Sequence, residues 1–228
     1  MSFKLLGFWG VLCLSACGDI NQPVFVPSQD AAMAQGGSDL DFKGRDLTGQ
    51  SFRNQNLNQA NFSGANLSFV DFTNAHLDKA KFVGATITNT LFTNAQINQG
   101  DFSRATGTSP HFSQAVLNNS IWNNAVIEQP NFSQADLTES VLKEVRLENA
   151  ILSNTTLNSA NFTSAHLQQA RFIGGSQRKA IFDAADLTQV KFISANLSGA
   201  SFINAIQTGI LFCYTIEPNG QNSGNDGC

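Results

Sequence analysis

A period of five residues runs through most of this chain and restricts its fold more than any other feature. Phe or Leu occupies most of the fifth positions counted from Phe42, and the phase holds without insertion to Phe212, which makes 35 consecutive units. We call the Phe or Leu position the centre of each unit. A small residue, most often Ala, stands two positions before the centre. Asn or Asp commonly stands one position before it, and Ser or Thr usually follows it.

This period fits neither of the common regular structures. Five residues advance an α-helix by about 500°, so the centres would be spread around every side of the helix. Side chains alternate along a straight strand, so an odd step would place every second centre in water. A chain that bends in the same direction once per unit keeps every centre inside. If each bend is close to a right angle, four units close one coil and residues twenty apart stack on each other.

The repeated unit Ala-(Asn/Asp)-(Phe/Leu)-(Ser/Thr)-x, as at Ala60-Asn61-Phe62-Ser63, resembles the pentapeptide-repeat family. The resemblance implies an all-β fold, a right-handed quadrilateral β-helix of about nine coils in which the centre and the preceding small residue point inward. Centres at positions ending in 2 are nearly all Phe, whereas those ending in 7 are mostly Leu or Ile. A four-sided coil would therefore carry Phe on two opposite faces and Leu or Ile on the other two.

The residues that precede the repeat predict export from a bacterial cell. In residues 1–16, Lys4 precedes an apolar stretch that is too short to span a membrane, as in a signal peptide. Leu14-Ser15-Ala16-Cys17 resembles the bacterial lipobox, which implies that Cys17 is lipidated; the alternative is an ordinary signal peptide with an incidental Cys17. Because Gly18 follows Cys17, we expect an anchor in the outer membrane, on its periplasmic side, rather than in the inner membrane. The predicted segments are 1–16 signal peptide, 17–38 lipidated N-terminus and linker, 39–214 β-helix and 215–228 C-terminal cap.

The end of the chain, from Leu211 to Cys228, resembles a tail found on exported pentapeptide-repeat proteins. In that tail a Cys follows the last Phe and a second Cys ends the chain. The resemblance implies a disulfide between Cys213 and Cys228, and export would place both residues in an oxidising compartment. The alternative is two unpaired thiols on a frayed tail. Since Cys213 follows a centre, we expect its side chain to face outward.

Two sets of exterior residues are candidates for a contact surface. Four β-branched residues replace the usual Asn or Asp before a centre, and they indicate either a contact surface or simple strand propensity: Ile121, Val126, Val141 and Ile151. Two positions after one Phe stack, amide side chains recur every twenty residues: Asn54, Asn74 and Asn94, followed by Gln114, Gln134 and Asn154. We expect these amides to form a ladder that stabilises the rod, and a polar ligand such as a glycan is the alternative use.

Two units depart from the repeat. Gly107 stands where Leu is usual, and Gln177 places a polar side chain at a centre just after Gly174-Gly175. Either departure could be a loop that makes a site, but we expect tolerated drift in a repetitive fold.

The residue types needed for catalysis do not come together in this pattern. His76, His111 and His166 should lie outside on three different faces, and neither a phosphate loop nor a metal-ligand spacing is present. We therefore expect no catalytic residues, no metal and no cofactor. Four cations gather near the C-terminal end, and we interpret them as a solvated patch rather than a phosphate site: Arg171, Arg178, Lys179 and Lys191.

The sequence predicts a non-enzymatic, membrane-anchored scaffold or interaction module in the bacterial cell envelope. Its partner would be a protein or a polar envelope ligand, and the membrane would be reached through the lipid. The formal net charge is only −4, and no basic footprint for nucleic acid is present. The alternative is a DNA-mimicking inhibitor or protector of DNA gyrase, as some members of the resembled family are. Those proteins act in the cytoplasm and present a strongly acidic rod, which this sequence does not predict.

Overall fold

The computed structural model describes residues 40–224 and residue 228. The predicted signal peptide, Cys17 and the linker lie outside the described residues. From residue 40 onward the chain winds as a four-sided β-helix, as the five-residue period predicts. Parallel β-bridges join the residue before a centre to the residue twenty positions later, from Asp41 with Asn61 to Asn196 with Ile216. We number the faces by their first centres, so that face 1 contains Phe42, face 2 Leu47, face 3 Phe52 and face 4 Leu57.

Most units contribute a single bridging residue, and five form short strands. These strands are β1 (Thr106–Thr108), β2 (Val126–Glu128), β3 (Arg171–Ile173), β4 (Lys191–Ile193) and β5 (Leu211–Cys213). β1 pairs with β2 on face 2, and β3, β4 and β5 form a parallel sheet on face 3. None of the described residues belongs to a helix that is long and apolar enough to cross a membrane.

The bend in each unit comes from a tight turn that begins at the centre. In a typical unit the amide of Arg45 donates to the carbonyl of Phe42 at 3.1 Å, and Gly44, the second of the two residues between them, has a φ of 68°. A positive φ at this position is the mark of a type II β-turn. The second residue after the centre has a positive φ in all 35 units, from Gly44 to Tyr214. Pro110 and Pro130 end two corners without this hydrogen bond, so the feature common to every corner is the positive φ. The resulting bends keep the centres inside along the rod, except in the last coil, where Gln207 is exposed.

The core consists of the centres and the small residues that precede them. Phe92 is typical: its ring stacks 5.2 Å from Phe72 and 4.7 Å from Phe112, and it meets Phe82 and Phe102 edge-on at 5.5 and 5.8 Å. All of these rings are fully buried. The two opposite Phe stacks predicted from the sequence are therefore confirmed. Their ring contacts are interrupted where Leu142 and Leu152 take the place of Phe.

Neither irregular unit forms a loop, which confirms the expectation of tolerated drift. Gly107 stays in register opposite Ile127, and its backbone lies close to the coil below, since an added Cβ would come within 2.8 Å of the Ile87 carbonyl carbon. Gln177 is fully buried at its centre, and its Nε2 donates to the carbonyl of Thr155 at 3.2 Å. Gly175 has a φ of 77° and packs against the backbone of Thr155, so this turn requires glycine.

The C-terminal tail folds back over one corner of the last coil. The amide of Tyr214 donates to the carbonyl of Gly224 at 2.7 Å, and a disulfide joins Cys213 to Cys228 with a Cα–Cα distance of 5.9 Å. The predicted disulfide is present. The expectation that Cys213 would be reachable from solvent was wrong, because Cys213 is only 4% exposed. Its side chain leaves the coil on the outer side, but the tail and the disulfide cover it.

Candidate functional site

The predicted apolar contact residues divide between opposite sides of the rod. Ile121 and Val141 bridge each other on face 1, and Val126 follows Ile121 on face 2 of the same coil. Ile151 lies on face 3, opposite face 1, where it bridges Arg171. Ile121, Val126 and Ile151 are exposed, and Val141 is half-buried. The structure therefore brings three of the four together at the corner between faces 1 and 2, and places the fourth elsewhere.

The amide column lies on the corner between faces 3 and 4 and forms hydrogen bonds along part of its length. Asn74 Nδ2 donates to Asn54 Oδ1 at 3.0 Å, and Gln114 Nε2 donates to Gln134 Oε1 at 2.8 Å. Asn54, Asn74 and Asn94 all occupy the positive-φ turn position, with φ between 57° and 59°. Asn adopts this backbone conformation more readily than most residues. The turn therefore accounts for the residue type in this column without a ligand.

Several exposed apolar side chains were not identified from the sequence. Phe69 is 60% exposed and has a φ of 61°, although its column otherwise favours Asn, Gln and Gly. Ile203, Ile206 and Tyr214 are exposed near the C-terminal end of the rod. For Phe69 and Tyr214 the signal available in the sequence was a bulky residue at a turn position, and it becomes informative only once the positive φ is known.

The cations near the C-terminal end divide between two faces. Arg171 and Lys191 lie opposite each other in β3 and β4 on face 3, whereas Arg178 and Lys179 lie on and beside face 4. The two ion pairs of the described residues involve neither group: Arg53 with Asp71 at 2.9 Å, and Arg146 with Glu148 at 2.9 Å.

Two half-buried carboxylates have lowered pKa values for local reasons. Partial burial raises the pKa of Asp71, but hydrogen bonds from Thr73 and from the Arg53 guanidinium outweigh it and hold this pKa below its ordinary value. For Asp186, burial again opposes the change, and hydrogen bonds from Thr188 and Gln168 lower the pKa. Both groups are negative at neutral pH and stabilise neighbouring turns, which is a structural role.

No chemistry-bearing cluster forms among the described residues. His76, His111 and His166 are exposed on faces 4, 3 and 2, as predicted from their positions before centres. In residues 40–224 and 228 there is no group of three or more His, Cys, Asp or Glu side chains placed to hold a metal ion. The surface of the described residues offers shallow depressions, exposed apolar side chains and cations that lie outside its two ion pairs, which are features of a binding surface.

Comparison with protein families finds matches over most of the β-helix. The model described as "Pentapeptide repeats (8 copies)" matches residues 38–74 and 71–106, and the model described as "Pentapeptide repeat region" matches residues 115–202. A comparison with curated proteins found no match.

Comparison with solved structures finds proteins of the same architecture. Full-length QnrB1, a plasmid-mediated fluoroquinolone resistance protein, is 16% identical over 72% of this chain and 90% of its own, with a TM-score of 0.54. HetL, a pentapeptide repeat protein involved in heterocyst differentiation regulation in the cyanobacterium Nostoc sp. strain PCC 7120, is 21% identical. It covers 84% of this chain and 96% of its own, with a TM-score of 0.36. At such identities the likeness to QnrB1 extends to the fold alone.

Proposed function

This chain belongs to the pentapeptide-repeat family, and from that premise we propose that it is an interaction scaffold held at a bacterial envelope membrane by a lipid on Cys17. In this proposal the β-helix is a rigid, non-enzymatic rod, and its exterior side chains contact a partner outside the cytoplasm. The sequence Leu14-Ser15-Ala16-Cys17 supports the lipid, and the surface described above supports the scaffold.

The observation that carries the proposal is the disulfide between Cys213 and Cys228. Disulfides of this structural kind are rare in the bacterial cytoplasm and common in exported proteins. The disulfide holds the tail against the edge of the last coil, where the amide of Ser223 donates to the carbonyl of Thr215 at 2.9 Å. The tail therefore covers part of an edge that would otherwise attract another chain. An exported rod gains a stable end in this way, and a cytoplasmic rod would not.

The charge of the rod favours a scaffold over a DNA mimic. Residues 40–224 carry 12 Lys and Arg side chains against 13 Asp and Glu side chains, a difference of one negative charge. A mimic of DNA needs a dense row of negative charge, because DNA carries one charge per roughly 1.7 Å of its axis. On this rod Arg171 and Lys191 interrupt face 3 with positive charge, and the likeness to QnrB1 concerns its fold.

The contact surface that we propose for a protein partner is the corner formed by Ile121, Val126 and Val141. Ile121 and Val126 are exposed and Val141 is half-buried, so these β-branched side chains on two adjoining faces give an apolar patch in the middle of the rod. Ile151 is too far around the rod to belong to this patch. Asn54, Asn74 and Asn94 are explained by the turn, so we expect them to matter for stability rather than for recognition.

The anchor is tested by Cys17→Ser in the native host. The wild-type chain should incorporate radiolabelled palmitate and sediment with the outer membrane, whereas Cys17→Ser should incorporate none and leave the membrane fraction. Cys228→Ser is the matched control, since it removes a cysteine without touching the lipobox and should retain the label. Unmodified wild-type protein in the cytoplasmic fraction would overturn the anchor and restore the gyrase alternative.

The contact surface is tested by placing a photo-crosslinking amino acid at Ile121 in intact cells, with Asn54 as the control position. A single crosslinked protein product at Ile121, and none at Asn54, is the expected result. Equal crosslinking at the two positions, or none at Ile121, would contradict the proposed surface.

A further inference from the structure

A shallow depression of about 480 Å³ lies at the corner between faces 2 and 3, near the C-terminal end of the rod. Six residues line it: Asn149, Gln169, Arg171, Gln189, Lys191 and Gly209. Three are amides from the turn column and two are the cations of β3 and β4. None of the six is a carboxylate, an aromatic residue or a large apolar residue.

The two cations are placed at an electrostatic disadvantage that the fold does not require. Arg171 and Lys191 are direct partners in adjacent parallel strands, which lie about 4.8 Å apart. Like charges directly opposite each other destabilise a sheet. Neither cation forms an ion pair within the described residues, and face 3 carries no Asp or Glu from Ile151 to Tyr214. Their repulsion would be relieved by an anion bound from solution.

The amides beside the cations are ordered along the corner. Asn149, Gln169 and Gln189 have φ values of 60°, 62° and 58°, so the same turn presents each side chain. Gln169 Nε2 donates to Gln189 Oε1 at 3.0 Å, which aligns two of the three amides. Gly209 stacks on Gln189, because a Cβ added to Gly209 would lie 3.5 Å from the Gln189 Cγ. As a glycine, it adds no side chain at this point. Gly209 lies in the last coil, so no side chain covers the depression at the C-terminal end of the corner.

We propose that this depression binds an anionic sugar, one that carries a carboxylate or a phosphate group. The Arg171 guanidinium and the Lys191 ammonium supply charge-assisted hydrogen bonds to the anionic group. The amides both donate and accept, so they match sugar hydroxyls, which do the same. A protein partner is less suited to this depression, because protein interfaces are anchored by buried aromatic residues, and none of the lining residues is aromatic.

A neighbouring depression of about 340 Å³ restricts where the anionic group can lie. It shares Asn149 with the first and is lined on face 2 by Val126, Glu128, Gln129, Arg146 and Glu148. Arg146 is already paired with Glu148 at 2.9 Å, and Glu128 adds a second negative charge. The carboxylates repel an anion, so the anionic group belongs on the face 3 side of Asn149, and an uncharged part of the sugar can extend toward face 2.

The test uses the full chain with its disulfide intact and measures affinity by isothermal titration calorimetry. The probes are a trisaccharide of galacturonic acid for the carboxylate source, glucose 6-phosphate for the phosphate source, and maltotriose as the neutral control. We expect binding of at least one anionic probe and none of maltotriose, and the probe that binds identifies the source. Failure of both anionic probes, or tighter binding of an Asp-rich hexapeptide than of either, would overturn the proposal.

The double variant R171Q/K191Q should weaken binding of the effective probe by at least about tenfold. Its matched control is R178Q/K179Q, which removes the same two charges from the same part of the rod but outside the depression. The control should stay within about twofold of the wild type, and R171Q/K191Q should melt at the same temperature or higher, because the repulsion is gone. Equal losses in both variants would mean non-specific attraction and would overturn the site. The inference rests on the described residues alone, so its failure and a failure of the Cys17 anchor are distinguishable.

Discussion

The N-terminal and C-terminal ends of face 3 have the same backbone structure but differ in the charged side chains that they carry. Near the N-terminal end, Arg53 reaches Asp71 in the next coil at 2.9 Å, and Thr73 also donates to the same carboxylate. Near the C-terminal end, Arg171 and Lys191 occupy the position before the centre, as Asp71 does, and face 3 carries no carboxylate from Ile151 to Tyr214. The first arrangement satisfies its charges internally, and the second leaves two like charges facing solvent.

The difference shows that the backbone ladder and the core of this rod form with either kind of exterior residue before a centre. The ladder between coils is made by backbone groups, as when the amide of Phe52 donates to the carbonyl of Asp71 at 2.8 Å. The core is made by centres, and the exterior residue before a centre contributes little to either. The repulsion between Arg171 and Lys191 therefore points to a role in binding, since the fold neither requires these two like charges nor pairs them with a carboxylate.

The largest expected effect comes from the interior, where the two ends of face 3 should behave alike. Phe92→Asp and Phe192→Asp each place a charge in a stack of buried rings. We expect each to cost at least several kcal/mol and to unfold the adjacent coils, because a buried charge without a partner is very unfavourable. Circular dichroism with thermal melting measures this.

The matched control is Phe92→Leu, which copies what Leu152 does naturally on the same face. We expect it to cost much less than the Asp variant, since it keeps an apolar side chain in place. An unchanged melting temperature for Phe92→Asp would mean that the centre does not point inward.

The second largest loss of stability is expected at one end of face 3 alone, because the disulfide lies at the C-terminal end. The variant C213S/C228S should lose about 3 kcal/mol of unfolding free energy in the chain-entropy model for a loop of this length. Hydrogen exchange should rise in β5 (Leu211–Cys213) and β4 (Lys191–Ile193) and stay unchanged near Phe52. Reduction of the wild type should reproduce the loss. Equal exchange at both ends after reduction would show that the tail does not stabilise the last coil.

The interior of this molecule could be predicted from its sequence, and its corners could not. The five-residue period places Phe42 to Phe212 inside because any other arrangement exposes them, and the resemblance of the tail predicts the disulfide. The positive φ at every corner was missed, although the frequency of Asn, Gln and Gly at that position was the available signal. The burial of Cys213 depends on the course of the tail, which no period encodes.

The C-terminal cations could also be identified from the sequence, where we interpreted them as a solvated patch. What it did not reveal is that Arg171 and Lys191 share a depression with Gln169 and Gln189, apart from Arg178 and Lys179. That separation depends on which side of a corner each residue occupies, and the shape of the corner is set by the turn.

The smallest stability effect concerns the ion pair at the N-terminal end. Asp71→Asn should cost roughly 0.2–1 kcal/mol at pH 7, since Arg53 is half exposed and such pairs are weak. The pKa of Asp71 is held below its ordinary value of 3.8, so its contribution is present above that pH and is lost as the pH falls through the lowered value. Urea unfolding at pH 7 and pH 2.5 measures the difference between wild type and variant.

Arg171→Gln is the comparison for this pair, because Arg171 has no carboxylate to lose on face 3. It should cost nothing at either pH. If Arg171→Gln destabilised the chain as much as Asp71→Asn at pH 7, the cation would have a partner within the fold, and the contrast between the two ends would disappear.

The most direct test of the central claim converts the C-terminal end of face 3 into a copy of the N-terminal end. Ile151 bridges Arg171 from the coil below, so Ile151→Glu supplies the missing carboxylate, and Leu91→Glu on the same face adds the same charge far from the cations. Calorimetric titration of the effective anionic sugar should show a loss of at least about tenfold for Ile151→Glu and a change within about twofold for Leu91→Glu. Both variants should remain folded by circular dichroism. Unchanged affinity in folded Ile151→Glu would contradict the account. The uncompensated charge of Arg171 and Lys191 would then not determine the binding of the anionic sugar.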